Sequence, residues 1–198
     1  MFLSILAGIM IAIGGVIYLS IGGAVGATLF AVGLLTILCL RLELFTGKAG
    51  LYATKEVRFG KLLEIWCGNF IGTWIVSLYL LATPKGEILR EAAKSIVDVR
   101  VANGFVVNVI YGIFCGILMY AAVKCWSIGG NPLYAIFPVA VFILAGFNHC
   151  VADMFYVHIG FRYLSDYLVL IPTTIGNFIG CCLIPCGINY SSSRTSAL

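Results

Sequence analysis

The chain has 198 residues, 62% of them hydrophobic and 10% charged, with a mean hydropathy of +1.08. This leaves too little polar surface for a water-soluble fold of this size, so the chain reads as an all-α integral protein of the lipid bilayer. The net charge of +4, from 12 basic and 8 acidic residues, falls mostly in connections at 48–64 and 85–100, which is no footprint for nucleic acid.

Apolar runs long enough to span a bilayer fall at about 2–21, 24–42, 62–83, 103–125, 132–148 and 167–189. Six spanning helices are therefore expected in one membrane domain, 1–198. The first run starts at Met1-Phe2-Leu3, without a basic leader or small-residue cleavage pattern, and reads as a retained span. The second closes on Arg41-Leu42-Glu43-Leu44-Phe45-Thr46-Gly47-Lys48, where charge meets glycine. Arg41 and Glu43 stand two apart and would not face each other on a regular helix. Lys48 either guards a mouth or snorkels to the surface.

The third run holds Gly68-Asn69-Phe70-Ile71-Gly72, and the sixth holds the same pentapeptide at Gly176-Asn177-Phe178-Ile179-Gly180, 108 residues later. Three crossings separate the copies, so they run in opposite directions, the mark of an inverted repeat. The halves are then about 1–84 and about 103–189, with a short polar tail at 190–198. Gly8 and Gly112, on the first and fourth helices, give a further correspondence. The expected fold is six helices in a 3+3 inverted repeat with the second and fifth helices broken. The glycines suit close helix packing. Asn69 and Asn177 are amides in hydrocarbon and need partners, which unwound backbone one helix earlier would supply.

The fifth run carries the second such break, Gly146-Phe147-Asn148-His149-Cys150-Val151-Ala152-Asp153-Met154. Apolar sequence resumes directly after Asp153. Ionisable groups at that depth usually face a cavity or pathway, so His149 and Asp153 are central candidates. Their spacing of four could share a metal, but no third ligand stands nearby, and no metal or cofactor is expected. His158, near a helix end, is a poor second axial ligand for a haem anchor. The eight cysteines lack zinc-type spacing and read as packing between helices.

These stretches together resemble the formate/nitrite transporter family over nearly the whole length. The residues that carry the resemblance are LAGIMIAIGG, ELFTG, both copies of GNFIG, FPVAVF, GFNHCVADMF and IPTTIGNFIG, in that order. The resemblance implies an aquaporin-like protomer, a homopentamer with one pore per protomer, and passage of small monovalent anions or their conjugate acids. It implies Leu44, Phe45 and Thr46 at the first break, with Thr46 bonded to the central His149. It implies constrictions at Phe30, Leu34 and Phe142, and a vestibule cation at Arg100, with Lys94 as the alternative. Asn148 stands where the family commonly has Glu, and Asp153 and Gly116 where it has Asn, so a carboxylate is moved and not lost. An amphipathic amino-terminal gating segment is not expected.

Six basic residues on the side of the termini against five opposite favour cytoplasmic termini in an inner (plasma) membrane, as does the family. A bare anion is penalised by several kcal/mol at the bilayer centre, whereas a neutral acid is not. Passage coupled to a proton near His149 is therefore expected, the proton coming from the imidazole or from relayed water. A neutral-solute pore for water, ammonia or urea is the alternative, and an enzyme is not expected.

Overall fold

The structure is a computed structural model that describes the backbone of residues 1–195 and the side chains of 1–190. In chain order its helices are α1 (Phe2–Ile21), α2 (Gly23–Cys39), α3 (Phe45–Ala53), α4 (Phe59–Leu81), α5 (Gly86–Gly129), α6 (Leu133–Leu144), α7 (Cys150–Gly160) and α8 (Leu170–Thr195), with a 3-10 turn at Leu164–Val169 before α8. The described residues contain no strand. Spans based on α1, α4, α5 and α8 are long and apolar enough to cross a membrane. The second and fifth expected spans hold the short helices α2 and α6, and each is followed in series, just past its expected end, by a second short helix, α3 and α7. The backbone of the expected polar tail continues α8 as far as Thr195, and residues 196–198 lie outside the described residues.

Helix α5 departs from expectation. It begins at Gly86, and Gly104 (φ 68°, ψ −174°) kinks it where the apolar run starts. The segment before the kink buries Gly86, Leu89, Ala93 and Val97 and exposes charges between them. This amphipathic stripe packs on the end of α7: a Cβ on Gly160 would lie 2.7 Å from the Lys94 amide. The charge of 85–100 makes it look like a connection in sequence, yet one helical face is apolar.

The glycines bring helices to backbone contact in matching pairs. A Cβ on Gly72 would stand 2.1 Å from the Ile5 carbonyl, and one on Gly180 would stand 2.1 Å from that of Ile113. Gly8 faces the Asn69 carbonyl at 2.2 Å and Gly116 faces that of Asn177 at 2.4 Å, again for an added Cβ. Gly8 therefore corresponds to Gly116, one helical turn beyond the expected Gly112. The counterpart of Gly112 is Ser4: their carbonyls accept from Asn177 and Asn69 respectively. Gly112 and Gly116 are each followed by Ile, as Gly8 is, so local sequence does not choose between the two turns.

Candidate functional site

Both broken helices are built alike. After α2 the chain closes a Schellman corner: Leu42 N–H donates to Ile37 O at 2.9 Å and Arg41 N–H to Leu38 O at 3.4 Å. After α6 the same pair recurs, from Phe147 to Phe142 O at 2.9 Å and from Gly146 to Ile143 O at 3.1 Å. Three residues past each corner residue stands the N-cap of the next short helix, Leu44 for α3 and His149 for α7.

The two asparagines hold these breaks. Asn69 Oδ1 accepts from Phe45 N–H at 2.9 Å, while its Nδ2 donates to Ser4 O at 2.8 Å and Glu43 O at 2.9 Å. Asn177 Oδ1 accepts from Cys150 N–H at 2.8 Å, and its Nδ2 donates to Gly112 O at 2.9 Å and Asn148 O at 2.7 Å. Each amide thus satisfies one helix-start donor and two carbonyls that hydrocarbon would otherwise strand.

The two helix starts meet at the centre. His149 Nδ1 accepts from Ala152 N–H at 3.2 Å as the N-cap bond of α7. That fixes the tautomer: Nε2 carries the proton and donates to Thr46 Oγ1 at 2.9 Å. Phe142 stacks on the imidazole at 5.4 Å and 18°, and Phe30 meets Phe142 edge-on at 6.2 Å. Leu34 and Leu44 are buried with them.

Two cavities reach this plug from opposite ends. One, of about 430 Å³ at the end where α2 and α5 finish, is lined by Leu34 and Leu44 and by Arg41, Lys48 and Lys124. The other, of about 230 Å³, is lined by Phe142, His149, Arg100 and Asp153 together with Tyr18 and Tyr156.

Arg100 sits in a closed polar ring. Its Nε lies 3.4 Å from Asp153 Oδ1, and a terminal nitrogen donates to Gly146 O at 3.0 Å. Thr173 Oγ1 donates to Asp153 Oδ2 at 3.4 Å and accepts from Asn148 Nδ2 at 3.5 Å. Asn148 Nδ2 also donates to Asn108 Oδ1 at 2.8 Å, and Asn108 Nδ2 donates to Arg100 O at 2.7 Å. Asn148 and Asp153 therefore share one network, which Asp153 joins at the Arg100 guanidinium and Asn148 joins through Asn108 and Thr173. Asn108 and Thr173 escaped the sequence reading because each is one ordinary polar residue within an apolar helix.

Two candidates lie elsewhere. Lys94 pairs with Glu91 and lines neither cavity. Phe45 lines an outer apolar groove with Phe59, Trp66 and Phe178. Glu43 pairs with Lys61 at 3.0 Å, which leaves Arg41 without it.

A family model described as formate/nitrite transporter matches residues 1–191. The formate channel FocA of Escherichia coli K12 is 26% identical across 90% of this chain and 81% of its own. A formate-nitrite transporter of Entamoeba histolytica is 27% identical across 90% of this chain and 59% of its own. Among solved structures, a pentameric formate channel with formate bound superposes with a TM-score of 0.79 at 25% identity, covering 98% of this chain and 96% of that one. A second, an FNT family ion channel, gives a TM-score of 0.82 at 21% identity, covering 97% and 89%.

Proposed function

Because the chain belongs to the formate/nitrite transporter family, and its helices are those of a multi-pass membrane channel, we propose that each protomer passes the anions of small weak acids, as the conjugate acid, through the plug around His149. The observation that carries this is the plug itself. Two cavities lined by basic side chains end on Leu34 and Leu44 from one side and on Phe142 and His149 from the other, with the Thr46–His149 bond between them. The cations draw anions in, and the apolar rings bar a bare charge. Basic mouths are a poor match to a pore for water, ammonia or urea.

Arg100 gathers the anion in the smaller cavity. A solvent proton joins it there, and the neutral acid passes Phe142 and Phe30 along the His149–Thr46 pair. The tautomer supports water as the proton source. A second proton on Nδ1 would face the Ala152 N–H and break the N-cap, so His149 serves as a neutral donor through Nε2. The paired glycine contacts and paired breaks support a 3+3 inverted repeat about an axis in the membrane plane, in an aquaporin-like protomer. The pentameric neighbour supports a homopentamer with a pore in each protomer, and the charge count supports cytoplasmic termini in the plasma membrane.

The test is uptake of formate, nitrite, hydrosulfide and lactate into proteoliposomes across a pH series, for the parent and for His149→Ala. Uptake of one or more acids, with loss or a changed pH profile in the variant, supports the reading. Passage of water or ammonia and none of the acids overturns it.

A further inference from the structure

The two Schellman corners share a backbone and differ in the residue at the left-handed position. Gly146 takes it in the second half with φ 72°, and Arg41 takes it in the first with φ 54°. A Cβ is strained there and glycine is not, so Gly146 is the expected solution and Arg41 the strained one. Strain retained at a corner that glycine would relax points to a use for the side chain.

That side chain lines the larger cavity with Lys48 and Lys124. None of the three side chains forms an ion pair or hydrogen bond among the described residues. Glu56, the acidic residue in that lining, accepts from the Thr54 hydroxyl at 2.6 Å. The opposite corner also carries a guanidinium, since Arg100 donates to the Gly146 carbonyl, but there Asp153 pairs with it. Each mouth thus places an arginine at its corner, one from the corner residue and one from α5, and they differ in whether a carboxylate neutralises it.

We propose that Arg41, with Lys48 and Lys124, forms an anion-capture site at the termini-side mouth for small monocarboxylates and like anions, so that this mouth loads anion at lower concentration than the Arg100 mouth. The inference rests on the transport reading given above for its role and on geometry for its place. Uncompensated positive charge in a cavity with apolar walls raises the local anion concentration. Arg41 is exposed, so added salt weakens the effect.

The variant to make is Arg41→Gly, which places at the first corner the residue the second corner already uses. Initial rates of labelled formate uptake are measured in inside-out and right-side-out membrane vesicles. The half-saturating formate concentration from the termini side should rise about fivefold, the factor that one unit charge at contact distance in water is worth, and should rise less from the other side. Raised ionic strength should shrink the difference, and Lys124→Gln should act in the same direction. An equal change from both sides, or none, overturns the proposal. Line broadening of ¹³C-formate by the detergent-purified full-length protein tests the site without transport. A clear loss of broadening in Arg41→Gly supports it even if the vesicles carry no formate, which would sink the transport reading alone. No broadening by the parent, or equal broadening by both proteins, overturns it.

Discussion

Thr46 Oγ1 accepts the Nε2 proton of His149 at 2.9 Å, and that bond, with the N-cap, leaves one neutral tautomer. Thr46→Val keeps the shape and removes the acceptor, stranding a buried donor at a cost of about 1–3 kcal/mol. Uptake of the transported acid should fall roughly tenfold or more, and Thr46→Ser should restore most of it. Proteoliposome flux checks both. Asp153→Asn leaves the guanidinium of Arg100 with Gly146 O and an amide in place of a carboxylate. Thermal unfolding in detergent should show a loss of about 1–3 kcal/mol, below the full cost of breaking a buried pair because Arg100 also faces a cavity. Half-saturation from the Arg100 side should fall, since its competitor is gone. His149 and Asp153 were legible in the sequence because ionisable groups between apolar runs are conspicuous. Thr46, Phe30 and Phe142 needed the family register, since periodicity alone makes them core. Asn108 and Thr173 carried no signal: their meaning lies in partners 40 and 20 residues away, Asn148 and Asp153.

Helix breaks are written in the chain as local clashes of composition, charge and glycine inside apolar runs, and both were legible for that reason. The pairing of helices was less so. Sequence similarity placed Gly8 opposite Gly112, whereas backbone contact chooses Gly116, because a glycine is selected by which carbonyl it must admit and that carbonyl belongs to another helix. The amphipathic start of α5 was hidden by its charge, since a helix half in water and half against α7 has the composition of a loop. The contacts at Gly72 and Gly180 give the element-scale prediction. An added Cβ would lie 2.1 Å from a carbonyl oxygen in each case, and helical backbone cannot yield as a flexible side chain can. Gly72→Ala and Gly180→Ala should each push α1 from α4 or α5 from α8 and sharply reduce the yield of monodisperse folded protein. Gly60→Ala, where nothing lies within 4 Å, should be tolerated, and should gain up to about 1 kcal/mol from helix propensity. Fluorescence-detected size exclusion of the three variants reads the contrast directly. Equal yields would mean that the close approach is not what holds these helices.

At the scale of the molecule, the bilayer fold was legible from composition, whereas the proposed pentamer rests on the family alone, since nothing in one protomer's periodicity counts its copies. What the whole arrangement contributes is a sequence of environments along the proposed path: a cationic cavity, an apolar plug, and a cavity whose arginine is paired with Asp153. If the plug excludes bare charge, one proton must accompany each anion and the step moves no net charge. Flux should then follow the neutral acid. Above the pKa of the transported acid, uptake at fixed total concentration should fall as pH rises, approaching tenfold per unit where protonation limits the rate. Below that pKa it should level off, because nearly all the substrate already carries its proton. The decisive measurement uses potential-clamped vesicles with a trapped pH dye and an inward formate gradient. Lumenal acidification with no current supports proton-coupled passage. Net negative current without movement of protons shows that the anion crosses bare, and then the Thr46–His149 pair and the helix starts behind it would have to stabilise charge at the narrowest point and not merely steer a neutral molecule past it.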